Sequence, residues 1–367
     1  MSGKSEDIED AGEPTTSSGP PEDFKITAQE EAMAAARLAA ETRSEILDAV
    51  FAQLPPPEPL AKINADRRAR RRANLPDELA ELEDRGEYRI RVHRITSDEA
   101  PGRSLGSRGR KLYNIRYARH VGVPSLVPLQ RLRNETKLSL WRSSQPTIAA
   151  RAPLHIDSGT TASGQFLVEE LLDGASIEEL TINAAIVGRP LPLGFVLGVA
   201  EAVALALADI HEARDAKGRP LDLVHADLSG RSIIVEKSGG VRLVSWGFAR
   251  PAGTDLAWTR AGEIVVGSIG SVSPEQAQGQ RIDARSDIYA LGTVLWSMLT
   301  SEPLLRVESV HDAIASIIDR PPPRPSQFRS GMHGSVERLV MRMLAKSPAD
   351  RWPTMREVAE ALAPFVR

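Results

Sequence analysis

The period of the apolar positions changes part-way along the chain. Residues 193–213 are rich in Ala, Val and Leu and apolar on most sides, which predicts a helix buried in a core. Residues 286–299 predict a second buried helix. Residues 310–318, 335–345 and 355–366 are apolar on one face, as amphipathic helices are. Upstream the texture is that of strands. Tyr88-Arg89-Ile90-Arg91-Val92 alternates, 154–157 and 166–171 are short apolar runs, and 112–117, 125–132 and 138–141 are weaker strand candidates. Between the two textures an apolar run leads into His225-Ala226-Asp227-Leu228. The triplet Ile233-Ile234-Val235, a Gly239-Gly240 turn, a second run at 241–244 and Ser245-Trp246-Gly247 follow. This order predicts a loop holding one carboxylate, then a tight hairpin that brings a second tripeptide to face the loop.

The first 85 residues have another character. Residues 1–25 are rich in Ser, Glu, Asp, Pro and Gly and bury too little apolar surface to order themselves. Thr27 and Glu30 have capping-box spacing and open an Ala-rich helix to about Gln53. Its stripe, with Met33, Ile46, Leu47 and Val50, suits packing on its own domain or docking to a partner. Pro55-Pro56-Pro57-Glu58-Pro59 is a stiff spacer. Arg67-Arg68-Ala69-Arg70-Arg71-Arg72 is a basic run, and 77–85 reads as a short charged helix.

Composition narrows the function classes. The 367 residues carry a net charge of −3, and the basic run has no aromatic residues interleaved with it, so no nucleic-acid partner is expected. With no cysteine, disulfides, thiolate zinc sites and a cysteine nucleophile are excluded. No apolar run reaches the roughly 18 residues of a membrane span. The acidic N-terminus lacks the apolar core of a secretory signal. A cytoplasmic protein is expected.

Six segments in order resemble the protein kinase family, in the style of bacterial Ser/Thr kinases. Residues 166–174 resemble the inter-lobe hinge. His225-x-Asp227 resembles H-R-D, Ser245-Trp246-Gly247 stands at D-F-G, and Ser273-Pro274-Glu275 at A-P-E. Residues 286–292 resemble the helix that braces the catalytic loop, and 345–354 the closing segment. The resemblance implies an α+β, bilobal fold: a β-rich lobe over 86–172, a helical lobe over 173–367, and an extension over 1–85. It implies Asp227 as catalytic base, or as a loop-building carboxylate. It makes Glu169 and Leu171 hinge residues that meet a nucleotide, and His225, Glu275, Asp287 and Arg351 structural, with Glu275 pairing to Arg351.

The chemistry departs from the family pattern. The metal-holding Asn and Asp are Ser232 and Ser245, the catalytic-loop Lys is Ser229, and the Arg that reads a phosphorylated activation loop is Ala226. Gly102, Gly106 and Gly109 lack G-x-G-x-x-G spacing and read as a mobile loop. No V-A-I-K occurs. Only Lys111 and Lys137 are available as the ATP lysine, with Glu135 as its nearest acidic partner. The expectation is a pseudokinase that regulates or scaffolds a protein partner in a signalling complex, with no metal and either no cofactor or ATP bound without metal. The alternative is an atypical active Ser/Thr kinase using Asp227, with Asp157, Asp173 or Asp222 meeting the phosphate. The other is an interaction protein working through its N-terminal helix and basic run.

Overall fold

The computed structural model describes residues 89–94, 102–108, 111–119, 127–160, 164–254, 268–306 and 309–366. The predicted tail, the helix from Thr27, the Pro spacer, the basic run and the short helix at 77–85 lie outside these residues.

The first lobe is an antiparallel sheet with one long helix. β1 (Arg89–Arg94), β2 (Gly102–Arg108) and β3 (Lys111–Arg119) form a meander. Helix α1 (Val127–Ser143) and the short α2 (Pro146–Ala149) follow, then β4 (His155–Thr160) and β5 (Gly164–Glu170). The sheet order is β1-β2-β3-β5-β4. Ile115 and Leu167 are buried from adjacent strands, and Leu132 of α1 packs on Leu167.

Two sequence expectations are corrected here. Gly102 and Gly106 sit inside strand β2, paired with Tyr117 and Tyr113, and not in a mobile loop; Gly109 lies outside the described residues. The strand candidate at 138–141 and the described part of the one at 125–132, residues 127–132, belong to one helix, α1. Its buried residues Leu132, Glu135, Ser139 and Arg142 recur at intervals of three and four, which is one helical face. Three of the four are polar, so an apolar period could not reveal it.

The second lobe is helical. β6 (Gly174–Ser176) leads into α3 (Ile177–Val187), then α4 (Leu193–His211) and β7 (Leu223–Val224). The hairpin β8 (Ile233–Glu236) and β9 (Val241–Leu243) follows, then β10 (Arg250–Pro251) and the short α5 (Pro274–Ala277). Helices α6 (Ala284–Thr300), α7 (Val310–Asp319), α8 (Gly334–Met343) and α9 (Met355–Leu362) complete it. α3 is not among the helices expected from the sequence, although its capping box, Ser176 with Glu179, is written in the chain.

α4 is 19 residues long and apolar enough to cross a membrane by length and composition, which corrects the expectation of no such stretch. It packs against α6 and α9, with Val196, Ala200, Val203, Ala204 and Leu207 fully buried. α6 meets α8 closely at Gly292, where a β-carbon would fall 2.9 Å from Met343 Cβ.

One ion pair ties α5 to this core. Arg351 Nη1 and Nη2 each donate to Glu275 at 2.8 Å, and Ser286 Oγ donates to Glu275 Oε1 at 2.6 Å. Arg351 also donates to the carbonyls of Ala345, Lys346 and Arg285. Burial pushes the Glu275 carboxyl up, and the donors from Arg351 and Ser286 outweigh it and hold it below the usual range. Arg351→Met strands the buried carboxylate and is expected to cost about 3–5 kcal/mol, measured by urea unfolding. A loss under about 1 kcal/mol, the scale of an exposed pair, would contradict this placement.

Candidate functional site

The site forms where β7, the β8–β9 hairpin and α1 converge. After β7 the chain turns sharply. Ala226 takes φ +62°, a left-handed conformation that a β-carbon disfavours. Asp287 of α6 holds it there: His225 N donates to Oδ2 at 2.8 Å and Ala226 N to Oδ1 at 2.9 Å. His211 Nε2 lies 2.9 Å from the same Oδ2. Burial raises the Asp287 carboxyl, but these partners outweigh it and hold it low. The buried His225 ring reaches Val244 O at 3.2 Å and lies 4.3 Å from the Trp246 ring, so it joins the loop to the hairpin. Burial lowers the His225 pKa.

Asp227 follows on the strained turn. Its Oδ1 accepts from Ser268 N at 2.9 Å, and Arg131 Nη2 of α1 lies 3.4 Å from its Oδ2. Burial pushes the carboxyl up to about 6 against the pull of Arg131 and Ser268. Ser232 turns inward. Its hydroxyl donates to Ser229 O at 3.0 Å and accepts from Ser229 N at 2.8 Å. Ser268 Oγ donates to Ser229 Oγ at 3.3 Å.

The second tripeptide is fixed from α1. Ser245 takes φ +69°, and Trp246 N donates to Glu135 Oε1 at 3.2 Å. Asn134 Nδ2 donates to Gly247 O at 3.0 Å and Ala249 O at 2.8 Å. A β-carbon at Gly247 would fall 3.1 Å from Arg131 Cβ, so glycine lets α1 approach. The Arg131 guanidinium stacks 4.0 Å above the Phe248 ring.

Four buried charges lie between α1 and the sheet. Arg116 of β3 pairs with Glu135, and both are almost fully buried. Arg142 Nη2 lies 3.5 Å from Glu169 Oε1, to which Ser139 Oγ donates at 3.0 Å. Burial raises the Glu169 carboxyl and lowers the Arg142 guanidinium to about 10.

A family model described as the protein kinase domain matches residues 156–362, more than half of the chain. The chain belongs to the protein kinase family. It is 32% identical over 210 residues to the serine/threonine-protein kinase Pkn1 of Myxococcus xanthus, covering 56% of this chain and 28% of that protein. It is 28% identical over 261 residues to the tyrosine-protein kinase MasK of the same species, covering 68% and 39%. It is 32% identical over 236 residues to the serine/threonine-protein kinase PknA of Corynebacterium glutamicum, covering 64% and 46%. The chain thus spans 28–46% of the length of these relatives.

Within that family the β3 lysine pairs with a glutamate of the following helix. Here Arg116 makes that pair with Glu135. Lys111 and Lys137, the two lysines expected from the sequence, are both exposed, which corrects that expectation. The missed signal was Tyr113-Asn114-Ile115-Arg116, which has the texture of V-A-I-K with arginine last. Glu169 turns into the first lobe toward Arg142 and Ser139, away from a hinge role for its side chain, while Leu171 is 41% exposed just after β5. Asp157 lies on β4, Asp173 pairs with Lys237 at 2.8 Å, and Asp222 is exposed before β7. Arg131 had no signal, being one arginine among several on an unrecognised helix.

The raised Asp227 carboxyl carries a pH consequence. Between its ordinary 3.8 and about 6 the folded chain holds a proton that the unfolded chain has released. Stability therefore falls as pH rises through that window, by up to ~3 kcal/mol above it. Asp227→Asn keeps the acceptor for Ser268 and removes the buried charge. It is expected to raise the melting temperature at about pH 8 and to match the native chain below about pH 4. A lower melting temperature at pH 8 would show that the Arg131 pair outweighs burial.

Proposed function

We propose that this kinase-family chain is a regulatory or scaffolding module that holds a protein partner in the cytoplasm and does not transfer phosphoryl groups. The observation that carries the reading is the donor set beside Asp227. A magnesium ion takes hard oxygen ligands in near-octahedral array, carboxylates and phosphates foremost. Here the two expected ligand positions are neutral hydroxyls, and that of Ser232 is committed to Ser229. The remaining carboxylate, Asp227, faces the Arg131 guanidinium. Such a set does not fit a divalent cation. Phosphoryl transfer depends almost wholly on positioning and on neutralising phosphate charge. The scaffold is complete around this centre: α1 is bonded to the hairpin, and α5 is bonded to the core.

A second reading, an active serine/threonine kinase with Asp227 as base, is supported by the Arg116–Glu135 pair and by Ser268 aligning Asp227. Names among the relatives support it as well. Purified chain incubated with labelled ATP and magnesium separates the two. The first reading expects no labelling of the chain or of acceptor proteins above that of Asp227→Asn. Labelling that disappears in Asp227→Asn would establish the second.

A further inference from the structure

Helix α3 is apolar on two opposite faces. Ile177, Leu180 and Ala184, at intervals of three and four, turn into the core of the helical lobe. The outward face carries Ile182 and Ile186, four residues apart and 52% and 76% exposed, with the exposed Ala185 beside them. Single apolar residues are ordinary on a surface, but two isoleucines on one exposed helical ridge make a patch of the kind that another surface covers. A helix that is apolar all round is a buried helix. The two ends of α3 carry opposite charge. Glu178 and Glu179 stand in its first turn, and Arg189 follows the Gly188 cap. Gly188 takes φ +67°, and Arg189 N donates to Ala184 O at 3.0 Å, which holds Arg189 against the end of the helix. Glu178 pairs with Arg231. Glu179 gives one oxygen, Oε2, to the N–H and hydroxyl of Ser176, leaving Oε1 for a further donor.

The order of these residues is self-complementary. Glu179, Ile182, Ile186 and Arg189 follow at intervals of three, four and three, so the face reads acid, isoleucine, isoleucine, base, with its midpoint level with Ala184. Turned end for end, the same face sets Ile182 against Ile186 in the middle and Glu179 against Arg189 at both ends. That placement also brings the positive N-terminus of each helix dipole to the negative C-terminus of the other, whereas a parallel placement sets like charges together. A twofold axis generates it from a single surface, as an isologous dimer requires. We propose that the outward face of α3 is a self-association surface, on which two copies of the chain pair their α3 helices antiparallel about a twofold axis. The 11 residues of α3 span roughly 16 Å. One face of that length is smaller than the roughly 800 Å² per partner of a standard interface, so the dimer is weak and forms as concentration rises. The inference does not depend on whether the site around Asp227 transfers phosphoryl groups.

Sedimentation equilibrium of the full chain across the micromolar range tests this. The weight-average mass is expected to rise from monomer toward dimer and no further. Ile186→Glu places a charge in the middle of the pair and is expected to weaken association at least about tenfold. Ile186 is mostly exposed, so the same change is expected to leave the melting temperature of the monomer where it was. Arg189→Glu is expected to weaken association as well. Adding Glu179→Arg to Arg189→Glu is expected to restore it, because the swap re-creates an ion pair at both ends. A chain that stays monomeric throughout, growth beyond the dimer, a dimer that Ile186→Glu leaves intact, or a double variant that associates no better than Arg189→Glu would each overturn the proposal. Should loss of the Glu179 cap unfold the double variant, Ile182→Glu decides in its place: it is expected to match Ile186→Glu, and an Ile182→Glu chain with native association would overturn the proposal.

Discussion

Two backbone N–H groups, of His225 and Ala226, end on the carboxylate of Asp287, and the rest of the site hangs on them. They hold Ala226 in a left-handed conformation whose cost is of the order of 1–2 kcal/mol. That turn puts Asp227 at the mouth of the loop and His225 beneath the hairpin. His225 then meets Val244 and Trp246, and Trp246 N meets Glu135 on α1. A chain of contacts thus runs from the middle of the helical lobe, through the loop and hairpin, to the helix of the sheet lobe. Asp287 is fully buried, and its position one turn into α6 makes it as rigid as the core around it.

The helix α1 shows the same economy with charge. Its inward face carries Glu135, Ser139 and Arg142 where a typical core would carry apolar side chains. Burying ions is costly unless each finds a partner. Glu135 has Arg116 and the N–H of Trp246; Glu169 has Ser139 and Arg142. Such a face allows few packings, because sliding α1 by one turn would separate every pair. The same helix brings Arg131 to Asp227, so the orientation of α1 and the electrostatics of the loop are one property.

The helical lobe and the loop–hairpin–loop were legible in the sequence because their signals are local. Apolar period marks α4 and α6, and Gly239-Gly240 marks the hairpin turn. The residues around Glu275, Asp287 and Arg351 were legible through the order of short motifs. In the first lobe the strands at 89–94, 111–119, 155–160 and 164–170 were legible too, but the helix was not. α1 buries polar side chains, so its helical period is invisible to hydropathy. Arg116 was hidden by the expectation of lysine, although its strand neighbours Tyr113 and Ile115 set the right frame. Arg131 and Glu169 draw their roles from neighbours that are distant in sequence, and no local pattern announces them.

The family fold is retained here, while the two positions that hold metal in the family are Ser232 and Ser245, and the Asp227 carboxylate lies against the Arg131 guanidinium. Electron paramagnetic resonance of Mn²⁺, titrated into the purified chain with ADP, measures that change directly. The account predicts no Mn²⁺ bound beyond what ADP holds in free solution. A stoichiometric protein-dependent Mn²⁺ site, abolished by Asp227→Asn, would contradict it.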